Sequence, residues 1–152
     1  VLFLDPYGMQ VDWQTMVAVA ATKAIDVWVL FPLGVAVNRL LKRNGKSIPD
    51  DWRRRLDRIF GTSDWYDRFY REVETVGLFG TSCETRKVCT PESISRYYNE
   101  RLRSIFAAVA DNPRRLTNSR GNPLFLLCFA AANPRGAPIA IRIAQQVLRE
   151  AD

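Results

Sequence analysis

Val1-Leu2-Phe3-Leu4-Asp5-Pro6-Tyr7-Gly8 and, further on, Ile25-Asp26-Val27-Trp28-Val29-Leu30-Phe31-Pro32 are the two stretches that decide the fold. The first four residues form an unbroken apolar run stopped by Asp, Pro and Gly, the pattern of a strand buried on both faces that ends in a tight turn. Between the two stretches, Trp13, Met16, Val17, Val19 and Ala20 recur at helical spacing up to about Thr22, and Asp12 stands where its side chain would accept from the first free amides. Strand, helix and strand in that order are a βαβ unit, so the two strands are expected to be parallel with a right-handed crossover.

Working outward, Leu33 to Lys42 reads as a short helix ending at Asn44-Gly45. Pro49-Asp50-Asp51 opens another, which carries Trp52, Leu56, Ile59 and Phe60 on one face and Arg53, Arg54 and Arg58 on the other, and stops at Gly61. Trp65, Phe69, Val73 and Val76 then step by four, four and three, predicting a helix from Trp65 to about Val76. These two helices are expected as an insertion over about 49–77. Gly77, Gly80, Thr81 and Ser82 break any period, so 77–89 reads as a loop. Thr90-Pro91-Glu92-Ser93 supplies a cap, a first-turn proline and an early acid for a helix to about Arg103, with Ile94, Tyr97, Tyr98, Leu102 and Ile105 as its apolar face. Phe106–Ala110 and Pro123–Ala132 predict an antiparallel hairpin with a long loop, the second strand buried on both faces. A last helix, Pro138 to about Glu150, is expected to bury Ile139, Ile143 and Val147.

The expected architecture is α/β, one domain over 1–152: half of a Rossmann-like sheet, parallel at the centre with an antiparallel edge hairpin, plus inserted helices. In such open sheets ligands sit at the carboxyl ends of the strands.

Composition narrows the chemistry. The 152 residues contain no histidine, which removes Ser/His/Asp and Cys/His triads, imidazole acid–base catalysis and His-ligated metals. Cys83, Cys89 and Cys128 fit neither a disulfide framework nor a paired-cysteine knuckle, and read as reduced thiols of a cytoplasmic protein, with Cys128 in the core. No metal site is expected. The longest weakly charged stretch, from Ala24 to Val37, holds Asp26, Pro32 and Gly34 and is shorter than a bilayer span, so no membrane partner is expected. Twenty-two Lys and Arg against 16 Asp and Glu give a net charge of +6, and the cluster Arg53-Arg54-Arg55 is a candidate nucleic-acid footprint. The alternative for these arginines is a solvated basic face.

Asp5-Pro6-Tyr7-Gly8 is the compact polar and aromatic constellation at a strand's carboxyl end. Asp5 can accept from a substrate amino or hydroxyl group, Pro6 fixes the backbone so that its carbonyl points outward, and Tyr7 offers a stacking face for a base, with Gly8 closing the turn. A plain strand-to-helix turn uses the same residue types. Asp26 and Arg39 are further candidates to line the same cleft, Arg39 facing a phosphate or carboxylate.

Phe3-Leu4-Asp5-Pro6-Tyr7-Gly8 resembles the fourth-strand motif of Rossmann-like S-adenosylmethionine-dependent methyltransferases and is related to the Asp-Pro-Pro-Tyr signature of amino-methylating enzymes. Further segments resemble the three-Cys-motif partner protein (TcmP) family. They are Trp13, Ile25 to Pro32 with Asn38-Arg39-Leu40-Leu41, Phe60-Gly61 followed by Trp65, and Leu124 to Leu127 with Ala132-Asn133-Pro134-Arg135-Gly136. The resemblance covers most of the chain and corresponds to the second half of such a protein. It implies a methyltransferase-like fold, S-adenosylmethionine as cofactor, and a three-Cys-motif protein as partner. The implied activity is methyl transfer to a nucleic acid or another polar acceptor, with Asp5 and the Pro6 carbonyl orienting that acceptor and Tyr7 lining its pocket. Two departures stand out: Tyr7-Gly8 replaces Pro-Tyr, and no counterpart is present of the glycine-rich cofactor loop or the acidic ribose ligand. Two other readings give the same residues different work. One is a non-catalytic scaffold whose basic helices dock on nucleic acid, and the other a winged-helix reader over 91–132, which the apolar strand at 124–130 argues against.

Overall fold

Two helical layers enclose one mixed sheet in the computed structural model, which describes residues 1–5, 11–77 and 80–150. The βαβ unit forms as expected. Strand β1 (Leu2–Leu4) pairs in parallel with β2 (Val27–Phe31), and helix α1 (Trp13–Ala21) connects them. Its cap differs from the expected one. Asp12 accepts the Thr15 N–H through its backbone carbonyl, and its side chain makes no cap.

After β2 the chain makes a π-turn over Leu33–Val37 that runs into the short helix α2 (Asn38–Leu40), then a 3-10 turn over Gly45–Ser47. Helix α3 (Asp50–Phe60) buries Leu56, Ile59 and Phe60 and ends as predicted at Gly61, which takes the left-handed conformation at φ +71°. Helix α4 is shorter than its stripe implied: it stops at Phe69, and Tyr70–Gly77 is strand β3, paired antiparallel with β4 (Gly80–Lys87). The expected helical insertion is therefore two helices followed by a two-stranded arm, and the expected loop at 77–89 supplies the second strand. Val73 and Thr75 are β-branched and favour extended backbone, and once the chain leaves the core at Phe69 no apolar face remains to hold a helix. The arm is exposed on both faces along most of its length, and Tyr70 and Thr85, near its base, are buried.

Helix α5 (Pro91–Arg103) starts on a reciprocal cap: Thr90 Oγ1 accepts from Ser93 N–H while Ser93 Oγ accepts from Thr90 N–H. Its predicted apolar face is buried from Ile94 to Leu102, and Ile105, past the helix end, is half-buried. The expected hairpin is more elaborate than read. Strands β5 (Ala108–Val109) and β6 (Arg114–Thr117) both pair antiparallel with β7 (Pro123–Ala131), so the long loop contributes a strand of its own. β7 in turn pairs antiparallel with β2, with Val29 opposite Cys128 and Phe31 opposite Leu126. β1, β2, β5 and β6 thus run one way and β7 alone runs against them.

Helices α1, α3, α4 and α5 cover one face of the sheet, over Val27, Val29, Phe31, Leu126 and Cys128. Helix α6 (Ala137–Glu150) covers the other, seating Ala137, Ala144 and Leu148 over Phe129 and Ala131. Two burial expectations are overturned here. Ile139, Ile143 and Val147 lie on the exposed side of α6, because the small residues Ala137, Ala140 and Ala144 give the closer seat against the strands. Strand β1 is buried on one face only: Leu2 and Leu4 pack on the core, while Phe3 is 58% exposed, because α6 sits over β7 and no described helix covers β1 on that side.

Gly34 shows how tightly the π-turn meets β7. A Cβ there would lie 1.8 Å from the Pro123 carbonyl oxygen, backbone that cannot rotate away. Gly34→Ala should cost about 2 kcal/mol or more, read as a lower urea midpoint at unchanged slope.

Candidate functional site

The direction of the strands decides which candidates meet. Asp5 follows the last residue of β1, exposed, at the carboxyl end of the parallel pair. Pro6, Tyr7 and Gly8 lie outside the described residues. Asp26 precedes β2 and therefore sits at the opposite end: its backbone carbonyl accepts Leu2 N–H at 2.8 Å, and its Oδ1 accepts Ala132 N–H at 3.0 Å. It closes the amino end of the sheet and shares no cleft with Asp5. A residue that opens a parallel strand lies beside the start of its partner, which rules the pairing out.

Arg39 follows β2 and is exposed at the same sheet end as Asp5. It borders a cleft of about 440 Å³ together with Gly34, Asn38 and Asn122. A second cleft, of about 430 Å³, opens at the start of α1 between Asp12, Trp13 and Gln14 on one side and Asp57, Arg58 and Gly61 on the other. As α1 is the crossover from β1 to β2, its amino end lies over the carboxyl ends of those strands. Asp57 Oδ1 already accepts from Trp65 Nε1 at 2.7 Å, which fixes the carboxylate at the cleft wall. Two carboxylates and an amide here suit a group that donates hydrogen bonds, such as an amine or hydroxyl. Asp57 was not singled out in the sequence, where it reads as an ordinary polar position on α3.

The arginine triplet divides. Arg53 turns inward: Nη2 donates to Gly45 O at 2.8 Å, Nε to Ile48 O at 3.4 Å, and the guanidinium lies 4.6 Å from the Tyr66 ring centre. It ties the 3-10 turn to α3, so its guanidinium is already engaged within the fold. Arg54 and Arg55 are exposed and, with Arg58, form the outer basic face of α3. Among the described residues no group of three His, Cys, Asp or Glu is placed to hold a metal ion, and no helix is long and apolar enough to cross a membrane.

Lys87, which no sequence signal marked, anchors the arm. Its Nζ donates to Asn38 Oδ1 at 2.7 Å and to Leu41 O at 3.1 Å, and Tyr70 Oη donates to Lys42 O at 2.7 Å beside it. Burial lowers the Lys87 pKa and, at neighbouring Cys89, pushes the thiol up.

Comparison with protein-family models, curated proteins and solved structures finds no match to this chain.

For Lys87 the folded pKa lies below the unfolded one, so between the two values the unfolded chain binds more protons and this residue's contribution to stability rises with pH. Urea midpoints of the wild type and Lys87→Met, compared from about pH 7 to 10, should therefore show the wild type gaining on the variant as pH climbs. A constant difference would show that the ammonium bears no desolvation cost.

Proposed function

We propose that this chain forms the acceptor-side part of an S-adenosylmethionine-dependent methyltransferase-type domain similar to the three-Cys-motif partner proteins, with a three-Cys-motif protein as its partner. One observation carries the reading: an exposed carboxylate, Asp5, at the carboxyl end of a parallel strand pair, with a carboxylate-lined cleft over the same sheet end. A sheet that is parallel on one side and closed by antiparallel strands on the other also accords with what the resemblance implies.

The cofactor itself does not fit the described residues. No glycine-rich turn among them leads from a strand into a helix: Gly34 lies in the π-turn, Gly61 ends a helix, Gly80 and Gly121 lie in or beside strand connections, and Gly136 stands alone in the turn from β7 to α6. What this chain supplies is positioning: Asp5 accepts a hydrogen bond from the acceptor's amino or hydroxyl group and fixes its orientation, work that needs no histidine.

A second reading rests on α3, whose Arg54, Arg55 and Arg58 face solvent without an ion-pair partner among the described residues. Such a face suits a nucleic-acid backbone, as acceptor or as docking surface.

Asp5→Asn keeps the exposed site's size and should leave the melting temperature unchanged. Transfer of labelled methyl groups, measured on protein isolated from its native source, should fall by about a hundredfold or more; transfer at the wild-type rate removes Asp5 from the chemistry. Replacing Arg54, Arg55 and Arg58 together by Gln should flatten the salt dependence of nucleic-acid binding by about three in log–log slope. A slope that does not move counts against the basic face.

A further inference from the structure

Away from Asp5, a cleft of about 320 Å³ separates α5 from the chain between β5 and β6. On α5, Arg96, Asn99 and Arg103 stand at intervals of three and four residues and so share one side of the helix. Neither Arg96 nor Arg103 has an ion-pair partner among the described residues. Arg115, across the cleft, is held by Glu92. Between the two free arginines lies Asn99, only 5% exposed: its Nδ2 donates to Ala110 O at 3.0 Å, while Oδ1 is buried with no hydrogen-bond partner. Leu126 and Pro113 give the cleft apolar wall, and Asp111 stands at its rim.

These features select a ligand by chemistry. Two unpaired guanidinium groups on one helix side call for an anion with several oxygens, and the planar fork of arginine matches a phosphate. A phosphate monoester is mostly dianionic at neutral pH and has no proton to offer an amide oxygen. The orphaned Asn99 Oδ1 therefore calls for an N–H on the same molecule. The apolar wall takes a flat ring, and the Asp111 carboxylate takes hydroxyl donors. The volume suits one small molecule. We propose that this cleft binds a nucleoside 5′-monophosphate, with the phosphate between Arg96 and Arg103, the base N–H toward Asn99 and the ribose hydroxyls toward Asp111. The site is independent of the acceptor reading at Asp5.

Calorimetric titration of the full chain tests it with four probes: adenosine 5′-monophosphate, cytidine 5′-monophosphate, ribose 5-phosphate and inorganic phosphate. At least one nucleotide should bind about tenfold or more tightly than ribose 5-phosphate or phosphate, and Arg96→Gln/Arg103→Gln should weaken it by a further factor of about ten or more. Both arginines are exposed, so this variant should keep the wild-type circular dichroism and melting temperature, and Arg142→Gln/Arg149→Gln on α6, both exposed, serves as the charge-matched control. No heat with either nucleotide at millimolar concentration overturns the proposal. So does equal affinity for inorganic phosphate, which would leave an anion seat without base recognition, or a loss that the α6 control reproduces. Binding unchanged in Asp5→Asn separates this site from the acceptor reading, and binding lost there would overturn its independence.

Discussion

Phe60 holds the architecture at a single point. Its ring meets Phe31 of β2, Phe69 of α4, and Tyr97 and Tyr98 of α5 at centroid distances of 6.0, 5.9, 5.2 and 6.5 Å, while Phe31 stacks on Tyr98 at 3.9 Å. Four elements distant in sequence therefore share one aromatic cluster, in edge and tilted arrangements that suit ring quadrupoles. The arm depends on it as well, since β3 begins at the residue after Phe69, and Val88 N–H returns to the Phe69 carbonyl at 2.9 Å. The carboxyl end of β2 is pinned by the same rings, so the sheet edge that carries Asp5 and Arg39 inherits its position from Phe60.

The elements that pack against this cluster were legible from sequence, because burial imposes a period. The βαβ unit, α3 with its glycine stop, α5 with its threonine cap and the apolar β7 all show one. The arm had no period to show. Gly80–Lys87 is a polar strand exposed on both faces, and its partner begins with residues that continue a helical stripe by coincidence of spacing. Helix α6 misled for a different reason: its large residues mark the wrong face, since alanine gives a closer seat. Among the site residues, Asp5 and Arg39 fell at the expected sheet end, Asp26 at the other. Asn99 was invisible, because Arg96 and Arg103 three and four residues away make its side of α5 read as a solvated face.

Charge counts also say less than they suggest. Arg53 and Arg101 contribute to the +6 of the chain, yet both serve its interior. Arg101 Nε donates to the Phe60 carbonyl at 2.9 Å and its guanidinium covers Trp13 at 4.7 Å, joining α5 to the end of α3 and the start of α1. Such arginines act through their fork geometry and flat face. A basic composition therefore mixes structural cations with those that face solvent, and α3's outer face and the α5 cleft present the second kind in groups.

The strand that runs against the others has a consequence for how the chain reaches this state. β7 lies between β2 and the β5–β6 edge, yet it leaves the ribosome after all of them, about a hundred residues after its partner β2. Until it arrives, β2 has hydrogen-bonding groups on one side and apolar side chains with nothing to close them. Long-range antiparallel pairing of this kind raises contact order and slows folding. The nascent chain must carry an open sheet edge from the emergence of β2 until β7 arrives, which is the interval when holdase chaperones matter most to a protein of this topology.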